Sequence, residues 1–111
     1  MSIRQEKVAE LLRRDLSTIF QQKGALWFNG LFITVTVVRM SPDLGLAKVY
    51  LSFMAVKDKP EALKLVKGEA WRVRKALAEK IGKQVRIIPE LNFYLDDSLD
   101  HYEAVDQALK S

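Results

Sequence analysis

The side chains best equipped for chemistry in this sequence are cations. Lys64, Lys67, Arg72, Arg74, Lys75, Lys80, Lys83 and Arg86 fall within 23 residues that hold only two acids, Glu69 and Glu79. Lysine and arginine at that density neutralise phosphates, and the counterions released from a polyanion give affinity without sequence reading. A helix that is merely solvated mixes its signs more evenly. Trp71 falls among these cations, four residues before Lys75, where an indole can stack on a base or ribose. The competing reading is that it covers a neighbouring helix. Gly68 is expected to open the second half of the run, where the free amides of a helix start favour a phosphate, with Lys64 and Lys67 beside it. Its alternative use is close helix packing. The candidate nucleic-acid-binding set is therefore Lys64, Lys67, Gly68, Arg72, Arg74, Lys75, Lys80, Lys83 and Arg86, with Trp71 as the stacking residue.

Bond-making chemistry has little to work with. There is no cysteine, and a Ser-His-acid triad would have to use His101, the only histidine, which lies in an acidic stretch. A lone imidazole there reads as a surface residue and not a metal ligand. Asp96 and Asp97 are adjacent, so on an extended strand they point to opposite faces and cannot share one substrate. Neither GxGxxG nor GxxxxGK[ST] occurs. The expectation is no enzyme, no metal, no cofactor and no small-molecule substrate.

The cations must be carried by helices. Asp58, Lys59, Pro60 and Glu61 combine an N-cap, an early-helix proline and an early carboxylate, and helix formers follow through Ile81. Gly68 costs about 1 kcal/mol relative to Ala in a helix interior, which predicts a break there and two helices in place of one. In the second, Ala70, Val73, Leu77 and Ile81 share one side, and the basic side chains face away from it. Residues 2–22 place Ile3, Val8, Leu11, Leu12, Leu16, Ile19 and Phe20 at spacings of three and four, an amphipathic first helix with Gly24 as its stop. LFITVTVVRM alternates Ile33, Val35 and Val37 against Thr34 and Thr36, and LGLAKVYLSF alternates Ala47, Val49, Leu51 and Phe53 against Lys48, Tyr50 and Ser52. With Ser41, Pro42 and Asp43 between them, these runs form an antiparallel hairpin. VRIIPELNFYL, after a C-cap at Gly82, gives a third strand that is bulged or on an edge at Pro89, which lacks an amide donor.

The order helix-strand-strand-helix-helix-strand predicts an α+β fold with a three-stranded mixed sheet and helices on one face. Residues 1–111 read as a single domain, with 98–111 a short terminal helix or a loose acidic tail: Leu99, Tyr102, Val105 and Leu109 have helical spacing. Charge is polar along the chain. Residues 57–90 carry ten Lys/Arg against five Asp/Glu, whereas 91–111 carry one Lys against five acids. The longest apolar-leaning run, LFITVTVV at 31–38, falls far short of the roughly 20 residues that span a bilayer. The opening MSIRQEKVAE lacks a signal peptide's apolar stretch. A cytoplasmic monomer with no membrane partner is expected.

The runs SPDLGLAKVYLS at 41–52 and IPELNFYLDDS at 88–98, with TVTVVRM before the first and the glycine-broken helix pair between them, closely resemble bacterial ribosome-binding factor A. The resemblance spans most of the chain. It implies a type II KH-like fold in which an interhelical alanine, any residue, then glycine replaces the GXXG loop. Here that kink maps to Val66, Lys67 and Gly68, with valine in place of alanine. It also implies a non-catalytic assembly factor that binds the immature small ribosomal subunit and its rRNA to assist late maturation and rRNA processing. The Asp-Pro-Arg stretch common before the first strand is replaced by ALWFNG at 25–30, and the long basic C-terminal tails of some relatives are missing. Two other readings use the same residues: a stand-alone single-strand RNA regulator, and a protein-interaction module with Trp27, Phe28 and Trp71 as a docking patch.

Overall fold

The computed structural model describes residues 2–96; Asp97, His101 and the expected terminal helix or tail at 98–111 lie outside the described residues. The elements are α1 (Ile3–Trp27), β1 (Phe32–Met40), β2 (Leu46–Met54), α2 (Lys59–Gly68), α3 (Ala70–Ile81) and β3 (Glu90–Leu95). This is the predicted order.

α1 begins with a capping box. The Ser2 hydroxyl accepts from the Gln5 amide at 3.2 Å and the Gln5 side chain accepts from the Ser2 amide at 2.8 Å, so two otherwise unpaired donors of the first turn are satisfied. Leu12, Leu16, Ile19 and Phe20 are buried at the predicted spacing. The expected stop at Gly24 is wrong. The helix continues to Trp27, and Gly24 is buried within it where a Cβ would sit 3.2 Å from the Leu31 carbonyl; the glycine allows α1 to approach the strand start. The helix ends when the Phe28 amide donates to the Gly24 carbonyl at 2.9 Å. Asn29 and Gly30, at φ 53° and 76°, then turn the chain through left-handed backbone into β1.

β1 and β2 form the antiparallel hairpin, and its loop is tied by Asp43 and Ser41. The Ser41 hydroxyl donates to Asp43 at 2.6 Å, the Gly45 amide donates to the same carboxylate at 2.9 Å, and the Leu46 amide donates to the Ser41 hydroxyl at 3.0 Å. The predicted alternation in β1 holds only through Val35. A bulge between Val35 and Val37 inserts Thr36 as an extra residue, so Val38 and Met40 take the buried positions and Val37 is turned out. β3 joins β2 in parallel, giving the mixed sheet in the order β1-β2-β3. Pro89 precedes β3, whose paired residues run from Glu90 to Leu95, so the proline never has to donate to the ladder.

All three helices contribute buried residues to one core against the inner sheet face, which carries Val35, Val49, Leu51, Phe53 and Phe93. Phe20 is its centre, 5.6 Å from the Phe28 ring and 6.1 Å from that of Phe93. Removing one such aromatic typically costs about 3–5 kcal/mol.

Candidate nucleic-acid interface

The basic run divides where its glycine predicts. α2 starts with the Asp58 carboxylate accepting from the Glu61 amide at 3.1 Å, with Pro60 in its first turn, and ends at Gly68. Glu69, at φ −108° and ψ 14°, is the one residue between the helices. Gly68 therefore closes α2 and does not open α3. It is exposed, its φ is not left-handed, and a Cβ built on it meets nothing within 4 Å. Close helix packing does not require this glycine. What it provides is bare backbone at an outward corner, with Lys64 and Lys67 exposed on the turn beside it. At the start of α3 the Glu69 side chain makes no cap hydrogen bond to the first amides of the helix.

Arg72 and Arg74 are committed to protein partners. The Arg72 Nε lies 3.1 Å from Glu69 Oε2, an ion pair with no aligned hydrogen bond. Its guanidinium also sits 5.2 Å over the Trp71 ring and 6.0 Å from that of Trp27. Trp71 is 62% exposed, so the reading that it is spent covering a neighbouring helix fails. Arg74 reaches across to the residues before β3, donating to the Pro89 carbonyl at 3.1 Å and to the Ile88 carbonyl at 2.9 Å. Phe28, one third of the suggested aromatic docking patch, is fully buried in the core, with Trp27 half-buried beside it.

Lys75, Lys80, Lys83 and Arg86 are exposed. A twelve-residue helix is about 18 Å long, so the cations form a strip with Lys64, Lys67 and Gly68 at one end and Lys80, Lys83 and Arg86 at the other. Residue spacing along the sequence does not reveal a feature beside the first end. A groove of about 290 Å³ lies between the helix junction and β3, lined by Lys67, Ala70, Asn92 and Tyr94 along with Leu91 and Phe93. β3 is an outer strand, so its unpaired backbone groups and the Asn92 amide offer donors and acceptors next to the cationic corner. Alternation assigns Asn92 and Tyr94 only as solvated strand residues; their place beside Lys67 depends on the parallel pairing of β3.

A sequence model of the family described as ribosome-binding factor A matches residues 4–109. The chain belongs to that family. The ribosome-binding factor A of Cytophaga hutchinsonii is 49% identical over 108 residues, covering 97% of this chain and 81% of that protein. That of Chlorobaculum tepidum is 43% identical over 112 residues, covering 100% of this chain and 92% of the relative. The crystal structure of ribosome-binding factor A from Thermus thermophilus superposes with a TM-score of 0.69 at 24% identity, over 82% of this chain and 94% of that one. A Thermus thermophilus RbfA homology model fitted into a cryo-EM map of a 30S-RbfA complex gives 0.64 at 29% identity, over 80% and 91%. The fold is the KH-like fold of the family. At the kink, Val66 is fully buried and Lys67 and Gly68 are exposed. The valine that stands where the resemblance implies alanine therefore points into the core, and the helix break survives it.

Proposed function

We propose that this chain is a non-catalytic assembly factor that binds the immature small ribosomal subunit through its rRNA and assists late maturation and rRNA processing. It acts in the cytoplasm, as a monomer, without cofactor or small-molecule substrate. The observation that carries the reading is the exposed Gly68 corner beside Lys64 and Lys67, opening onto the groove along β3. A phosphodiester can approach bare backbone there while the lysines neutralise it, and the strip along α3 extends the same attraction over about 18 Å. Family membership and the Thermus thermophilus 30S-RbfA complex support the small subunit as the particle. Binding energy does the work: holding rRNA in an immature arrangement needs affinity that depends on shape and phosphate spacing.

The test is sedimentation of tagged protein with separated ribosomal particles. The protein is expected with free small subunits, immature ones above mature, and largely absent from assembled ribosomes. Equal recovery on both particles would overturn the reading. Binding short oligonucleotides with strong base preference would favour a stand-alone RNA regulator instead.

A further inference from the structure

The cationic strip does not end on open surface. Beyond the last turn of α3, Arg86 lines a groove of about 300 Å³ built by three separate parts of the chain: the first turns of α1, the loop between β1 and β2, and residues 84–87 ahead of β3. Val8, Leu44 and Val85, all half-buried, make its apolar wall, and Ile87 stands beside them 57% exposed. Leu44 is held by left-handed backbone, φ 61°, which leucine seldom adopts, and its amide donates to the Ser41 carbonyl at 2.9 Å. The parts are fixed against their neighbours: the Gln5 side chain donates to the Met40 carbonyl at 3.0 Å, and Arg74 holds the Ile88 and Pro89 carbonyls. The edge of the groove is polar. Arg4 of α1 and Arg86 are both exposed on it, and neither makes an ion pair among the described residues. Gln84 adds an exposed side-chain amide. Asp43 is the acid there, and its carboxylate is already engaged by the Ser41 hydroxyl and the Gly45 amide.

A nucleobase is apolar on its faces and carries donors and acceptors on its edge, so a site for one needs an apolar wall with a few polar groups at the border. Leu44, Val85 and Ile87 supply the wall, and the Gln84 amide supplies both a donor and an acceptor. The two arginines complement the phosphates on either side of the base, and a guanidinium plane also stacks on bases. An apolar peptide side chain would use the wall and leave both arginines without a role. Sites for small ligands begin at about 300 Å³, which gives room for one base and not for a run of stacked ones. We propose that this groove receives one unpaired base of a single-stranded RNA lying on the cationic strip, with Arg4 and Arg86 holding the phosphates that flank it. The proposal rests on the RNA-binding reading given above and adds to it a base contact, which phosphate attraction along the strip does not supply. It also brings in Arg4, a cation far from the basic run in sequence, which reaches the strip only because the start of α1 lies beside the segment ahead of β3.

The test compares two ligands of equal charge on the full chain: a short single-stranded RNA of mixed sequence, and a ribose-phosphate chain of the same length without bases. The protein should bind the RNA several-fold more tightly than the abasic chain. Ile87→Ser, at an exposed position, should abolish that difference and leave affinity for the abasic chain unchanged. Arg4→Gln should lower the slope of log affinity against log salt by about 0.7, one single-strand phosphate contact. In a second arm on the unsubstituted protein, RNA carrying 4-thiouridine should photo-crosslink at Leu44, Val85 or Ile87; this arm decides alone if Ile87→Ser lowers the melting temperature. Equal affinity for the two ligands, binding of neither, or crosslinks confined to the Gly68 corner and the β3 groove overturns the proposal. An Ile87→Ser protein that keeps its RNA affinity but no longer sediments with small subunits would assign the groove to a protein segment, which overturns it too. Sedimentation also separates the two readings. A protein that selects immature small subunits but shows no base contact removes only the groove, whereas equal recovery on all particles with base contact intact removes only the assembly role.

Discussion

Arg74 donates from Nε to the Pro89 carbonyl at 3.1 Å, tying the outer side of α3 to the residue that precedes β3. A second bond from the same guanidinium reaches the Ile88 carbonyl at 2.9 Å. The segment before β3 pairs with no strand, so these bonds satisfy carbonyls that the ladder cannot. The fork geometry of arginine is what lets one side chain serve two successive carbonyls.

Arg74→Met should therefore act on stability. It keeps much of the aliphatic stem and removes both bonds, and the expected loss is about 1–2 kcal/mol, because bonds from a charged donor exceed neutral ones while this site is partly solvated. In a chain of this size the melting temperature should fall by several degrees. The salt dependence of RNA binding should stay as in the unsubstituted protein. An unchanged urea midpoint would show that the fork contributes nothing net.

Acid sensitivity should trace in part to Asp43. The Ser41 hydroxyl first and the Gly45 amide second hold its carboxyl below the ordinary aspartate range. A depressed folded-state pKa gives stability that is present above the unfolded value, about 4, and lost as pH falls through the folded one. Asp43→Asn, which cannot ionise, should lower the melting temperature near neutrality and leave it little changed in acid, so that the acid limb flattens below about pH 4. Identical acid limbs in the two proteins would remove Asp43 from the account.

Much of the fold was legible because local signals agreed with tertiary ones. Asp58 and Pro60 start α2 as their chemistry requires, and the SPDLG loop makes the turn that its side chains favour. The failures have physical causes. Gly24 reads as a helix stop because glycine's backbone freedom is a local property, whereas its use here is a contact with Leu31, distant from it in space only until the chain folds. The bulge at Thr36 reverses the facing of Val37, and an alternation pattern cannot signal where one extra residue enters. Within the candidate site, charge density was visible but charge commitment was not. Arg72 and Arg74 look like Lys75 in sequence; only the structure shows Glu69 beside one and two carbonyls in front of the other. Asn92 was invisible as a groove residue because strand pairing, not spacing, brings it to Lys67.

Gly68→Ala separates stability from binding. The residue is helical and a Cβ there meets open space, so the substitution should leave stability unchanged or raise it by about 0.5 kcal/mol through better helix propensity. The strain expected of a left-handed glycine is absent, and even Gly68→Val should fold. RNA affinity should nonetheless fall several-fold, because a side chain would stand where a phosphodiester approaches the backbone. Calorimetry and RNA titration on the same sample read both effects. Full affinity in Gly68→Ala would leave the corner without a role in binding.

The cationic strip can be tested end by end. Lys64→Ala, Lys67→Ala and Lys75→Ala together remove exposed charge at the junction end and along α3; Lys80→Ala, Lys83→Ala and Arg86→Ala remove it at the far end. Among the described residues, none of these six makes an ion pair or hydrogen bond of the kind that fixes Arg72 and Arg74. Surface changes of this type typically shift stability by less than about 0.5 kcal/mol each. Each neutralised phosphate contact contributes roughly 0.7–0.9 to the slope of log affinity against log salt. If RNA lies along the whole strip, both triple variants should lower that slope by about 2, and affinity should fall in parallel across unrelated sequences. A loss confined to the junction triple would restrict the site to the Gly68 corner and the β3 groove. No change in either would mean that this strip does not bind RNA.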